Sequence, residues 1–135
     1  MTDEQRRHSS GDRIRTGVAG EFLVAGEISK RGWIATLTAK NTPDVDVLAV
    51  RPEGDTSARM QVKTRTPAYK YAFRVAKIRL TGARDFVVFV DLGGLDQRPR
   101  YWIVPAADAA KMITHEQVRN SDLVDYEDRW DLLGE

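Results

Sequence analysis

Asp46, Gln61 and Lys63 are the side chains whose types and spacing could do chemistry together. They fall within NTPDVDVLAVRPEGDTSARMQVKT, residues 41–64, where two runs rich in branched side chains flank Pro52-Glu53-Gly54-Asp55, a turn-forming sequence. Val45 to Val50 is expected as one strand and Ala58 to Thr64 as the next. Strand side chains alternate faces, so Gln61 and Lys63 point one way while Met60, Val62 and Thr64 point the other. A hairpin centred between Gly54 and Asp55 sets Asp46 opposite Lys63, with Gln61 one diagonal step away. A slip of one residue would carry Asp46 to the other face. In that register a carboxylate, an amide and an ammonium converge beside otherwise apolar strands, as a site would require. The competing reading is a solvated hairpin in which Asp46 and Lys63 form a cross-strand ion pair.

Pro43-Asp44-Val45-Asp46 followed, after a turn, by Gln61-Val62-Lys63 resembles the core of the restriction-endonuclease-like PD-(D/E)xK nuclease superfamily. The motif is similar to the QxK, Mrr-like branch and to the branch of Holliday-junction resolvases. The resemblance covers Thr16 to Val90 and has no hold on the last third of the chain. It implies that Asp46 and the residue at position 61 bind magnesium, with manganese as a substitute, and that Lys63 assists the chemistry. Asp44 is the less favoured register for the strand aspartate. The backbone carbonyl of Val62 is a further ligand by the same resemblance. Glu21 resembles the helix-borne glutamate that supports the metal site in resolvase-like members, although a structural role, pairing with an arginine or capping a loop, is equally open to it. Gln61 departs from the usual acidic residue. Its carbonyl oxygen is a hard ligand but brings no charge.

The elements that must position these residues begin with a helix, expected to start between Ser10 and Arg13 and to end at Gly32 after Lys30-Arg31. Ile14, Val18, Phe22, Ala25 and Ile28 are read as its inward stripe. Gly17 and Gly20 weaken a helix interior, which suggests close approach of backbone or ligand. Residues 1–10 are expected to form a flexible arm, with residues 11–135 making one domain. Trp33 to Thr38 reads as the first strand. Further on, Phe86 to Val90 is a strand with Tyr101 to Val104 as its antiparallel partner. Lys77 to Gly82 is expected as a short helix or turn, Ala106 to Met112 as a helix opened by Pro105, and Glu116 to Arg119 as a helical turn. A short terminal helix carrying Tyr126, Trp130, Leu132 and Leu133 would dock on the core by its aromatic residues. The expected fold is α/β: a mixed sheet of about five strands flanked by helices, in a single restriction-endonuclease-like domain.

The formal net charge of +1 over 135 residues conceals an asymmetry. Arg59 to Arg84 contains eight basic residues and no acidic ones, whereas Asp85 to Glu135 contains eleven acidic against five basic. Arg65, Lys70, Arg74, Lys77 and Arg79 are the candidates to follow a phosphate backbone. The bland alternative is a solvated face offset by the acidic C-terminal part. Aromatics interleave with the cations in Tyr69-Lys70-Tyr71-Ala72-Phe73-Arg74, which suits either base stacking or packing on a sheet edge. The chain has no cysteine and only two histidines, His8 and His115, so thiolate sites are excluded and a histidine-rich zinc site is disfavoured. A polar N-terminus without a signal-peptide core, and no stretch of membrane-spanning length, give a cytoplasmic expectation.

Together these features point to magnesium-dependent hydrolysis of nucleic-acid phosphodiester bonds, with DNA as the expected partner. Because two strands would be cut by one site per chain, a symmetric homodimer is a candidate assembly. Two other readings stay open: a nuclease-like domain that only binds nucleic acid, and a protein-interaction or immunity-type module on the same fold.

Overall fold

The computed structural model describes residues 10–39 and 42–134. The arm expected for residues 1–10 therefore lies outside the described residues, apart from Ser10, which opens helix α1 (Ser10–Lys30). The helix ends as its sequence dictates. Gly32 adopts φ +96°, its N–H donates to Ser29 O at 3.0 Å, and Trp33 N–H reaches back to Ile28 O at 3.2 Å. This is a Schellman closure, which needs the left-handed conformation that glycine adopts without a Cβ penalty.

A five-stranded sheet follows, in the order β1 (Ile34–Leu37), β2 (Val47–Val50), β3 (Ser57–Arg65), β5 (Asp85–Asp91), β6 (Arg100–Pro105). All neighbours are antiparallel except β3 and β5, which run parallel. Parallel neighbours need a crossover, and residues 66–84 supply it. The crossover holds a short 3-10 turn at Pro67–Tyr69 and strand β4 (Ala72–Arg74). Lys77 to Gly82, expected as a helix or turn, has no regular helix: Phe73, Val75, Ile78 and Leu80 are buried while Arg74, Lys77 and Arg79 project outward.

The sheet has a core on each face. Met60, Val88, Val90 and Ile103 pack with Val24 and Ile28 of α1 and with Trp130 and Leu133 near the C-terminus. Val87, Phe89, Trp102 and Val104 pack with the crossover and with helix α2 (Ala106–Met112). β5 is buried on both faces, which explains its continuous apolar run.

Three expectations are corrected. Ile14, Val18 and Phe22 are not inward; they are 60%, 43% and 63% exposed. The reason is Gly20: a Cβ there would collide with Thr64 Oγ1 and lie 2.9 Å from Thr64 Cβ, so the helix turns its bare backbone to β3. That rotation aligns Glu21, Val24 and Ile28, at i, i+3 and i+7, on the inner side. Glu116 to Arg119 is not helical. Gln117–Arg119 forms β7, pairing with β4 in a second small sheet. The terminal helix is instead a pair of 3-10 turns, Val124–Tyr126 and Trp130–Leu133, although Trp130 and Leu133 do dock on the core as anchors.

Candidate nuclease site

The hairpin register differs from that expected. Val47 pairs with Met60, and the turn closes through Arg51 N–H to Thr56 O at 2.9 Å, so extending the ladder sets Asp46 beside Gln61 rather than Lys63. The centre of the turn has moved by one residue and the pairing therefore by two, which leaves the set of faces unchanged.

β2 stops at Val47 whereas β3 continues to Arg65, so β3 has an open edge beyond Met60. Its backbone polarity is legible from neighbouring bonds. Arg59 N–H donates to Arg84 O at 3.1 Å and Leu92 N–H donates to Arg65 O at 3.0 Å, so odd-numbered residues face β5. Even-numbered residues face the open side, where Met60 O accepts Asp46 N–H at 2.8 Å. There the Asp46 carboxylate Oδ2 accepts the Val62 N–H at 2.7 Å. The Val62 carbonyl projects to that same side, because both backbone groups of one strand residue point together.

Asp46 lies just past an irregular approach. Asp44 has φ +63°, and Thr38 Oγ1 donates to Val45 O at 2.5 Å and to Asp46 O at 3.3 Å. Val45 packs with the α2-side core and Val47 with the α1-side core, so the alternation breaks between them. This break lets the Asp46 side chain reach Glu21 on α1. Burial, then the charge and hydrogen bond of Asp46, push the Glu21 carboxyl from 4.5 up to about 7. Gln61 is buried, and its Oε1 has no hydrogen-bond partner among the described residues. A buried amide oxygen left unpaired is unfavourable, and a cation would satisfy it.

Lys63, half-buried, lines a cavity of about 360 Å³ with Asp12, Arg13, Thr16 and Gly17 of α1 and with Arg74. Glu21, Asp46 and Gln61 lie outside its lining. The α1 residues were not legible as site residues. The one signal was the pair of glycines, since Gly17 leaves open space within 4 Å where a side chain would intrude.

The basic tract divides. Arg65 is only 4% exposed. Its Nε donates to Asp91 at 2.8 Å, its Nη1 donates to Asn120 at 2.5 Å, and its guanidinium lies 4.2 Å from the Phe73 ring centre. This corrects its assignment to the phosphate-following set: Arg65 is an interior ion pair, held by an acidic residue of the C-terminal part. Arg59 is likewise held by buried Asp85 at 2.7 and 2.8 Å, and Arg84 donates to Leu133 O at 2.5 Å. Lys70, Arg74, Lys77 and Arg79 are exposed and form no ion pair among the described residues, but only Arg74 shares the groove with Lys63. Phe73 packs edge-on against Phe89 and Trp102, whereas Tyr69 lines the groove and Tyr71 is 82% exposed.

No protein-family model matches the chain, and no curated protein matches it. Among solved structures, the bacterial homing endonuclease I-Ssp6803I superposes with a TM-score of 0.60 at 13% identity, over 89% of this chain and 91% of that one. The fold is that of a restriction-endonuclease-like nuclease. The Holliday junction resolvase Hjc of Archaeoglobus fulgidus also matches, with a TM-score of 0.47 at 16% identity, over 82% of this chain and 88% of that one. Within this nuclease fold, among the described residues, no three His, Cys, Asp or Glu side chains come together and no helix is long and apolar enough to cross a membrane. The oxygen donors that meet at the notch are the carboxyls of Asp46 and Glu21 and the Val62 carbonyl, while Gln61, level with Val87 on β5, turns its side chain to the α2-side face.

Proposed function

We propose that this chain is a divalent-metal-dependent endonuclease that hydrolyses DNA phosphodiester bonds. The observation that carries the proposal is the notch beside β3, where Asp46 is hydrogen-bonded to the Val62 N–H and Glu21 is crowded against Asp46; next along the strand, Gln61 Oε1 is buried without a partner. This donor set fits a hard cation, for which oxygen ligands and partial charge neutralisation are the requirements. Asp46, Glu21, Gln61 Oε1 and the Val62 carbonyl would hold magnesium, or manganese in its place. When bound, the ion supplies Lewis-acid polarisation of a phosphoryl oxygen and acidification of water.

The chain's own residues do the remaining work. The Val62 N–H fixes the Asp46 carboxylate, so little rearrangement is needed on binding. Lys63 presents its ammonium toward the groove, where it stabilises charge that builds on the phosphate as the bond to the leaving oxygen breaks. Arg74 holds substrate phosphate on the groove wall, and Lys77 and Arg79 add exposed charge along the crossover. A homodimer belongs to the same proposal, since two copies provide one site for each strand of a duplex.

The test is a panel of linear, branched and single-stranded DNA and RNA substrates with magnesium, manganese or chelator. Metal-dependent cutting of DNA is the expected result. Nucleic-acid binding without cutting at any metal concentration would reject the enzyme and leave a binding domain. No binding to any member would favour the protein-interaction module.

A further inference from the structure

The groove beside Lys63 is not the last basic surface at this end of the sheet. A second cavity, of about 410 Å³, opens beyond Arg65 and is lined by Arg65, Lys70, Asp91, Gln97, Arg98 and Asn120 among others. Arg65 lines both cavities. Most polar groups here are already engaged. Asp91 accepts from Arg65 through Oδ2 and from the Gly93 N–H through Oδ1, each at 2.8 Å. Asn120 accepts from Arg65 and donates to Lys70 O at 2.7 Å. Arg100 is held by Glu127 at 2.7 Å. Two cations remain exposed and without an ion pair among the described residues: Lys70 and Arg98.

Arg98 sits on a braced loop. Gly93 takes φ +68° to receive the Asp91 contact, Gly94 N–H donates to Gln97 Oε1 at 2.9 Å, and Gln97 N–H donates to Gly94 O at 2.9 Å. On the other side, Asn120 ties the Lys70 backbone to the same interior network. Two fixed backbones thus present an ammonium and a guanidinium over one cavity, an arrangement suited to a phosphate group.

We infer that the Lys70–Arg98 cavity is a second phosphate site, which holds the nucleic-acid backbone away from the position of cleavage. The inference rests on the nuclease reading of the Lys63 groove and extends it to a length of substrate.

The experiment measures binding of a linear DNA duplex, in chelator, across a salt series. It compares the native protein with Arg98→Ala, Lys70→Ala/Arg98→Ala and Lys111→Ala, the last an exposed cation on α2 in neither cavity. Each lost phosphate contact should reduce the slope of log affinity against log salt by about 0.9, so the double variant should lose about twice what Arg98→Ala loses. Lys111→Ala should match the native protein. A native slope in the double variant, or an equal loss in Lys111→Ala, would overturn the second site. If the native protein binds and cuts DNA while Arg98→Ala and the double variant bind as it does, only the second site falls. If the native protein binds no nucleic acid, the nuclease reading and this inference fall together.

Discussion

The Asp46 carboxylate accepts the backbone N–H of Val62 at 2.7 Å, fixing an acidic group beside the residue that separates Gln61 from Lys63. The strand partner that would ordinarily take that N–H ends at Val47. A side chain therefore completes the ladder, and the Asp46 carboxylate is held at the edge of the sheet where Glu21 can meet it.

That placement separates two roles. Asp46→Asn should abolish metal uptake, measured by calorimetry, and cleavage with it, while DNA binding in chelator persists or strengthens as negative charge is removed near phosphate. Lys63→Ala should keep metal uptake and much of the substrate affinity yet reduce the single-turnover rate by about 10²-fold or more. Equal rates for Lys63→Ala and native protein at saturating metal and substrate would remove the lysine from the chemistry.

Gln61 offers a second measurement. Its Oε1 is buried and unpartnered, so a carboxylate there would meet a cation with charge as well as an oxygen. Gln61→Glu should tighten magnesium and manganese binding in a calorimetric titration. An unchanged affinity would place the side chain outside the coordination shell. Faster cleavage is not required, since tighter ground-state binding need not stabilise the transition state.

The Glu21 carboxyl, raised from 4.5 to about 7 by burial and by Asp46, makes stability depend on pH. Between those values the folded, metal-free protein holds a proton that the unfolded chain releases. The contribution is fully present below the ordinary carboxyl value and is lost as pH rises through about 7. Thermal unfolding in chelator should therefore show Tm falling over that interval, with a shallower fall in Glu21→Gln. A Tm profile unaltered by the substitution would mean that the Glu21 carboxyl is not raised in the folded protein.

The two helix glycines should respond in opposite directions. Gly20→Ala drives a methyl into Thr64 and should destabilise the fold by ~1–3 kcal/mol. Gly17→Ala meets open space and should add ~0.5–1 kcal/mol through helix propensity. Denaturant unfolding measures both, and similar effects for the two would refute the close approach at Gly20.

The sequence by itself determined the elements whose signals are local. Gly32 closes α1 because a Schellman turn needs a positive φ, and Pro105 opens α2 at Ala106. The unbroken run in β5 marks a strand covered on both faces. The order of Asp46, Gln61 and Lys63 along a hairpin was equally readable, and so was the resemblance that the shared fold bears out. Only the tertiary structure decided which way α1 turns, because its apolar residues admit two inward faces and the contact at Gly20 with Thr64 selects one. It also decided the fate of the arginines. Arg59 and Arg65 look like any other members of a basic tract until Asp85 and Asp91, 26 residues further along, come to lie beside them. Arg98, remote from that tract in sequence, lines a cavity with Lys70 because β5 and β6 carry its loop there. Charge in a sequence gives the supply of ions; burial and long-range pairing determine which of them remain free to meet a ligand.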